Sequence, residues 1–155
     1  MVDYYIGTMG FSYTDWAGSF YPPGVHSSDY LAHYARIFNS VEIDSTFYGI
    51  PKSASVMRWD EQSPDDFKIC LKVPRLITHE AGLDNVDREM ARFLDSVAPL
   101  EEKLAVILIQ FPPSFDISRG KLLVQFLKNL PGDHEFAVEF RHPSWYIPRT
   151  AEVLT

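Results

Sequence analysis

The chain has 155 residues, of which 46% are hydrophobic, and this suits one domain with a packed core. Its formal net charge of −7 repels a nucleic-acid backbone, so we do not expect binding of duplex nucleic acid unless a local cationic pocket overrides the overall field. Cys70 is the only cysteine, which excludes an internal disulfide and is typical of a reducing compartment. The start of the sequence lacks the pattern of a signal peptide, and the longest apolar run, from Ala105 to Ile109, is too short to cross a bilayer. We therefore expect a cytoplasmic protein with no membrane partner.

Five short apolar segments have the length and composition of β-strands. The last two are nearly continuous apolar runs, which indicates burial on both faces. In chain order, the predicted strands are Tyr4–Thr8, Ser40–Asp44, Phe67–Val73, Leu104–Gln110 and Glu135–Phe140.

Helices are predicted between these strands, and three of them carry apolar residues at the i, i+3, i+4, i+7 spacing of one helical face. The fourth, over residues 53–62, has a weaker pattern and ends before Pro64. The three stripes are Leu31, Tyr34, Ala35 and Phe38; Met90, Phe93, Leu94 and Val97; and Leu123, Phe126, Leu127 and Leu130. Strict alternation of strands and helices predicts an α/β protein with a parallel sheet and helices outside it.

The number of strands leaves two architectures open. One is an open five-stranded sheet that is complete in itself. The other is a parallel (β/α) barrel of TIM type, which needs eight β-α units and about 250 residues. In that case residues 1–155 are the N-terminal part of the barrel, truncated after the fifth strand as a fifth helix begins near Arg149. Either way, the sequence predicts a single domain.

Alternation within the strands sorts their side chains into two faces. In the second predicted strand Val41 and Ile43 share one face, and Glu42 and Asp44 share the other. The apolar set must meet the helices, so the polar set faces inward. Inward residues near the strand ends are Glu42, Asp44, Lys72, Gln110, Glu139 and Arg141. If the sheet curls, these side chains converge at the carboxyl ends of the strands, where α/β proteins place their sites.

Several of these segments resemble one known family. The matching motifs are G-T-M-G-F-S-Y-T-D-W with F-Y-P-P from Phe20, Y-A-R-I-F-N-S-V-E-I-D-S-T-F-Y from Tyr34, F-K-I-C-L-K-V-P from Phe67, Q-F-P-P-S-F from Gln110, and E-F-R-H-P-S-W from Glu139. In this order they are similar to the YecE-like family, domain of unknown function 72, over about Tyr4 to Tyr146. The resemblance implies a TIM-barrel-like fold of about 250 residues and a cytoplasmic protein. It implies no established activity.

Four residues are candidates for catalysis. Glu42 and Glu139 suit acid/base work, because a carboxyl group in a barrel mouth can have its pKa raised toward working pH. Lys72 could hold an anionic group or act as an amine nucleophile. His142 could transfer protons. The alternative is a structural one, in which Glu42 with Lys72, and Glu139 with Arg141, form ion pairs without chemistry.

Six further residues are candidates for substrate binding. The guanidinium of Arg141 suits a carboxylate or phosphate, and Gln110 could orient a ligand hydroxyl or carbonyl. Aromatic rings in the loops could stack on a sugar or a base, although such rings also bury loops. The predicted substrate-binding residues are Asp44, Tyr48, Gln110, Arg141, Trp16 and Trp145.

No cofactor is predicted. A divalent metal stays an alternative, because carboxylate and imidazole groups on separate strands suit Mg, Mn or Zn. The possible ligands are Glu42, Asp44, His79, Glu139 and His142, but they lack the close spacing of a tight ligand motif.

Three functions follow from these residues. The leading hypothesis is an enzyme, a hydrolase or an isomerase, that acts on a small polar anionic substrate. The second is a binding module for a nucleotide, a sugar or a single-stranded nucleic acid, without chemistry. The third is a metal-dependent phosphoesterase or sugar isomerase, by analogy of fold alone. The sequence predicts no oligomeric state.

Overall fold

The structure is a computed structural model, and it describes residues 2–154. Its centre is one parallel sheet with the order β1-β2-β3-β4. The strands are β1 (Ser40–Ile43), β2 (Lys68–Lys72), β3 (Leu104–Gln110) and β4 (Phe136–Glu139). The predicted α/β class and parallel sheet are confirmed. Within the described residues the sheet does not close on itself, so the barrel stays a prediction.

The helices follow the predicted apolar stripes. They are α1 (Tyr30–Tyr34), α2 (Ser53–Gln62), α3 (Asp87–Val97), α4 (Gly120–Lys128) and α5 (Pro148–Leu154). α1 ends before Phe38, and its stripe continues through a turn in which Phe38 N–H donates to the carbonyl of Tyr34. None of the helices within residues 2–154 has the length and hydropathy that a membrane span requires.

The first predicted strand, Tyr4–Thr8, is wrong. This segment lies beside β1, but only its end is paired: Glu42 N–H donates to the Thr8 carbonyl at 3.0 Å, and Gly10 N–H donates to the Glu42 carbonyl at 2.7 Å. Farther up, the N–H of Ile6 bonds to the Asn39 side chain instead of a strand. Side-chain hydrogen bonds therefore replace the ladder that the apolar composition predicted.

The outer face of the sheet packs against the helices and forms the core. Val41 and Ile43 of β1 are at most 3% exposed, and Ile107 and Ile109 of β3 are fully buried. Phe93 of α3 is among the buried helical residues that meet this face. Burial of this apolar surface is the main favourable term in folding.

The inner face is polar near the carboxyl ends of the strands, as alternation predicted. Glu42 pairs in register with Cys70, and Gln110 pairs with Glu139. Lys72 and Gln110 are buried, whereas Val106, lower on the same face, is partly exposed. The fold therefore collects charged and polar side chains along one edge of the sheet.

Candidate functional site

Four polar residues mark the carboxyl ends of the four strands. Lys72, Gln110 and Glu139 are the last residues of β2, β3 and β4, and Glu42 is the last but one of β1. Because neighbouring parallel strands end at the same edge, these side chains lie along it as a staggered row, with Glu42 in contact with Lys72 and Gln110 in contact with Glu139. We call this row, together with Arg141, the carboxyl-edge cluster.

Lys72 and Glu42 form the first half of the carboxyl-edge cluster. The Lys72 Nζ lies 3.3 Å from the Glu42 Oε1, and the two side chains are 10% and 32% exposed. The same Nζ lies 5.9 Å from the centre of the Phe47 ring, within range of a cation–π interaction. The ammonium is therefore held between a carboxylate and an aromatic face.

Thr46 positions this part of the site. It belongs to the 3₁₀ turn Asp44–Tyr48 that follows β1. Its buried hydroxyl donates to the Lys72 carbonyl at 2.7 Å and accepts the Lys72 N–H at 3.1 Å. These bonds dock the turn on the end of β2 and place Phe47 against the lysine.

Glu139 forms the second half of the carboxyl-edge cluster. One of its oxygens accepts from Gln110 Nε2 at 2.8 Å and the other from Arg141 Nε at 3.0 Å. Burial by itself raises the pKa of this carboxyl, but the bonds from Gln110 and Arg141 and the nearby charge of Lys72 outweigh it, so the pKa lies below its usual value. Glu139 is thus ionised at neutral pH and is a poor proton donor.

His79 completes the site. It lies in the helical turn Leu76–Glu80 after β2, and its ring meets the edge of Phe47 at 4.9 Å between centres. Burial is the main cause that lowers the pKa of His79, and the charges of Arg141, Arg75 and Lys72 lower it further. The imidazole is therefore neutral at pH 7, and the charges of these cations favour that form. From the sequence, His79 was a candidate only for metal binding, but its place in the loop after a strand also indicated a site residue.

Two predicted residues have other structural roles. The Nδ1 of His142 accepts the Ser144 N–H at 3.2 Å and so caps the short turn Pro143–Trp145. Trp145 is 4% exposed, its ring stacks on Phe140 at 4.3 Å, and it lines a cavity beside α4. Trp145 therefore lies in the outer layer, away from the carboxyl-edge cluster.

Three predicted ligand contacts also lie outside the carboxyl-edge cluster. Trp16 packs on Phe20 with ring centres 5.3 Å apart, within an aromatic cluster of the N-terminal loop. Tyr48 is 75% exposed. Asp44 was predicted to face inward with Glu42, but it lines a different cavity, next to Trp59 of α2 on the helix side of β1. Ligand contact by these residues stays a prediction.

No group of three or more possible metal ligands occurs within residues 2–154. Glu42 and Glu139, the carboxylates of the carboxyl-edge cluster, instead face Lys72 and Arg141.

The fold and this row of charges define a parallel α/β protein with polar residues at the carboxyl edge of its sheet. The profile of the family "Protein of unknown function DUF72" matches residues 5–155, so the chain belongs to this family, as the motifs indicated. UPF0759 protein YecE of Escherichia coli (strain K12) is 37% identical over 142 residues, which cover 92% of this chain and 50% of YecE. UPF0759 protein YunF of Bacillus subtilis (strain 168) is 33% identical over 151 residues, with 93% and 52% covered.

Solved structures of the family agree with this fold. A DUF72 family protein from Thermotoga maritima MSB8 (TM1631) superposes with a TM-score of 0.79 at 36% identity, covering 97% of this chain and 60% of that one. A DUF72 family protein from Enterococcus faecalis V583 (EF0366) gives 0.70 at 26% identity, with 97% and 55% covered. The chain spans about half the length of the curated relatives it matches.

Proposed function

We propose that the protein is an enzyme, a hydrolase or an isomerase, that acts on a small anionic substrate at the carboxyl edge of its sheet. The observation that carries the proposal is that His79 and Lys72 contact the same ring: the centre of Phe47 lies 4.9 Å from the centre of the His79 ring and 5.9 Å from the Lys72 Nζ. Burial lowers the pKa of His79, and the charges of Arg141 and Lys72 lower it further. Cations suit the charge of the substrate, and a neutral imidazole suits the transfer of a proton.

The two cations support binding of a carboxylate or phosphate. Arg141 uses its Nε to bind Glu139, which leaves the other N–H groups of the guanidinium to bind a ligand. Lys72 is nearly buried, so its charge is weakly screened by water. With two cations beside its two carboxylates, the carboxyl-edge cluster is less negative than the chain as a whole, whose net charge is −7, so this edge repels an anion less than the average surface does.

Proton transfer is proposed for His79 and Glu42. A hydrolase must activate water and an isomerase must move a proton, and both steps need a base whose pKa is near the working pH. Glu42 is partly exposed beside Lys72, so its carboxylate is within reach of a substrate that is held at that ammonium. Glu139 orients Arg141 and Gln110 through its two hydrogen bonds. His142 caps the turn that follows β4 and is not assigned a proton.

The proposal includes closure of the sheet into a (β/α) barrel by further strands of the whole protein. Val106, Leu108 and Ala137 on the inner face are only partly buried within residues 2–154. Apolar side chains at the centre of a sheet gain stability when a further layer covers them. In such a barrel the carboxyl-edge cluster would lie at the mouth.

Binding without chemistry is the second candidate. It is favoured by one observation: both carboxylates of the carboxyl-edge cluster are paired with cations, as in a purely electrostatic site. Turnover separates the two candidates, because only an enzyme releases product.

Titration with inorganic phosphate tests the anion site. We expect Arg141→Ala and Lys72→Ala to weaken phosphate binding by about tenfold each, which corresponds to about 1.4 kcal/mol. Arg36→Ala, at an exposed site of the opposite edge, is the matched control and should leave it unchanged. Equal binding by Arg141→Ala and the unsubstituted protein would contradict the proposal.

A screen of sugar phosphates and small carboxylates, with product detection by mass spectrometry, tests the chemistry. We expect His79→Gln to abolish turnover while phosphate binding changes little, because the imidazole is proposed to move protons rather than to hold the anion. If binding is found but no compound in the screen is converted, the binding module is favoured instead.

A further inference from the structure

A second cavity lies on the outer side of the carboxyl edge. It has a volume of about 270 Å³. Ile43, which faces the helices, and Trp59 of α2 form part of its lining, and Lys72 of the inner face does not, so the cavity lies on the helix side of β1. Its lining combines three aromatic residues, two serines and one carboxylate: Phe11, Tyr13, Trp59, Ser12, Ser45 and Asp44.

The loop that forms one wall of this cavity is firmly held. Gly10 N–H donates to the Glu42 carbonyl at 2.7 Å, and the hydroxyl of the buried Tyr21 donates to the Phe11 carbonyl at 2.5 Å. Gly10 has φ 76°, and a Cβ there would lie 2.8 Å from the Tyr13 hydroxyl oxygen, so the Tyr13 ring lies directly over Gly10. The wall is therefore in place before a ligand arrives, which lowers the entropy cost of binding.

Asp44 is the charged group of the cavity. It is partly buried at the start of the turn Asp44–Tyr48, and no residue of the described part of the chain forms an ion pair or hydrogen bond with its carboxylate. A carboxylate that is partly removed from water without a partner costs stability, and a cation that reaches it recovers that cost.

We propose that this cavity binds a compact organic ammonium ion, such as a primary alkylamine. The ammonium would lie on Asp44, with the hydroxyls of Ser12 and Ser45 as further acceptors for its N–H groups. The faces of aromatic residues attract cations and also cover an alkyl chain. An anion would be repelled by Asp44 and by the net charge of −7.

This site is independent of the proposed enzyme site. It uses a different face of the sheet and none of the residues proposed to hold the anion or to move protons. Its failure would therefore leave the anion site untouched, and failure of the anion site would leave this one untouched.

The test is a titration of the protein with n-butylammonium chloride, in which NMR monitors the chemical shifts of the backbone amides of Ser12 and Ser45. We expect saturable shifts at both amides. Asp44→Asn, which keeps the shape and removes the charge, should weaken binding by about tenfold or more. Asp65→Asn, an exposed aspartate that precedes β2, is the matched control and should bind as the unsubstituted protein does.

Two further arms address the chemistry and the fold. The neutral analogue n-butanol should bind far more weakly, and Tyr13→Leu should weaken n-butylammonium binding with Asp44 intact. Arg141→Ala should bind n-butylammonium normally. Equal binding of n-butanol and n-butylammonium, unchanged binding by Asp44→Asn, or no saturable shift at Ser12 and Ser45 would each overturn the proposal.

Discussion

Tyr21 is a fully buried phenol whose ionisation is opposed by its surroundings. It is 1% exposed, stacks on Tyr30 with ring centres 4.0 Å apart and donates its proton to the Phe11 carbonyl. Burial raises its pKa to about 12, with smaller contributions from Tyr34 and Tyr30. The folded chain therefore holds this proton at pH values where an unfolded chain releases it.

We predict that this tyrosine makes the protein sensitive to alkali. Its stabilising contribution is complete below pH 10, the ordinary pKa of tyrosine, and is lost as the pH rises toward 12, because the unfolded state then binds fewer protons than the folded state. The loss is about 2 kcal/mol. The free energy of unfolding, measured with denaturant between pH 9 and pH 12, should fall less steeply with pH for Tyr21→Phe. Tyr4→Phe, at an exposed site, should keep the pH dependence of the unsubstituted protein.

Two histidines use the same local hydrogen bond, which limits what a histidine in the sequence can reveal. His26 and His142 each accept at Nδ1 the N–H of the serine two residues later, Ser28 and Ser144. The His-x-Ser pattern is therefore sufficient to cap a short turn without any ligand. The sequence therefore suggested proton transfer by His142, whereas its capping bond to Ser144 is visible only in the structure.

The N-terminal segment and β1 approach each other closely at one glycine. A Cβ at Gly7 would lie 2.0 Å from the carbonyl oxygen of Ser40, which is backbone and cannot move aside. Only glycine lets the segment reach the position in which the Thr8 carbonyl accepts the N–H of Glu42.

We therefore predict that Gly7→Ala separates this segment from β1 and lowers the free energy of unfolding by about 1–3 kcal/mol. Hydrogen exchange at the Glu42 amide should become faster, since its acceptor moves away. Gly132→Ala is the control, because a Cβ there meets no atom within 4 Å. Equal effects of the two substitutions would show that the close approach has no energetic role.

The turn after β1 depends on a single hydroxyl. Thr46 bonds both the N–H and the carbonyl of Lys72 where β1 has already ended, so the side chain continues the hydrogen bonding of the sheet for one more step.

We predict that Thr46→Val, which keeps the shape and removes these bonds, destabilises the protein by about 1–3 kcal/mol. Phosphate binding should also weaken, because Phe47 would no longer be held against Lys72. Thr14→Val, at an exposed position, is the matched control. A Thr46→Val protein with unchanged stability would argue against this docking role.

Strand positions were predictable because the alternation of apolar and polar residues is a local signal. Val41 and Ile43 lie on the predicted buried face, and Glu42 lies on the opposite face. The strand predicted over Tyr4–Thr8 was wrong because apolar composition does not determine which groups accept the backbone N–H bonds. In this segment two of the acceptors are side chains. The contact of His79 with Phe47 links two loops and leaves no trace in local spacing.

At the scale of the whole molecule, the two faces of the sheet are unequally covered. In β3, Ile109 is fully buried against the helices, whereas its neighbour Leu108 on the inner face is partly exposed within residues 2–154. The relatives YecE and YunF are about twice as long as the part that matches, so they have further chain that could cover this face.

If the sheet closes as proposed, Leu108→Ala and Ile109→Ala in the whole protein should cost similar free energies of unfolding, about 2–5 kcal/mol each. The comparison is internally matched, since both residues lie in one strand and lose similar side-chain volume. A small cost at Leu108 with a large cost at Ile109, measured by denaturant unfolding, would indicate that the inner face stays open.

The motifs after β3 and β4 meet in a stack of four rings. Phe111 lies on Phe115 at 4.1 Å, and Trp145 lies on Phe140 at 4.3 Å and near Phe115 at 5.7 Å. The indole N–H of Trp145 donates to the carbonyl of Phe115 at 2.6 Å. Trp145 is thus a built-in optical reporter: its emission should be blue-shifted and shielded from iodide, while the partly exposed Trp16 and Trp59 are quenched, so loosening of the two loops can be followed without a label.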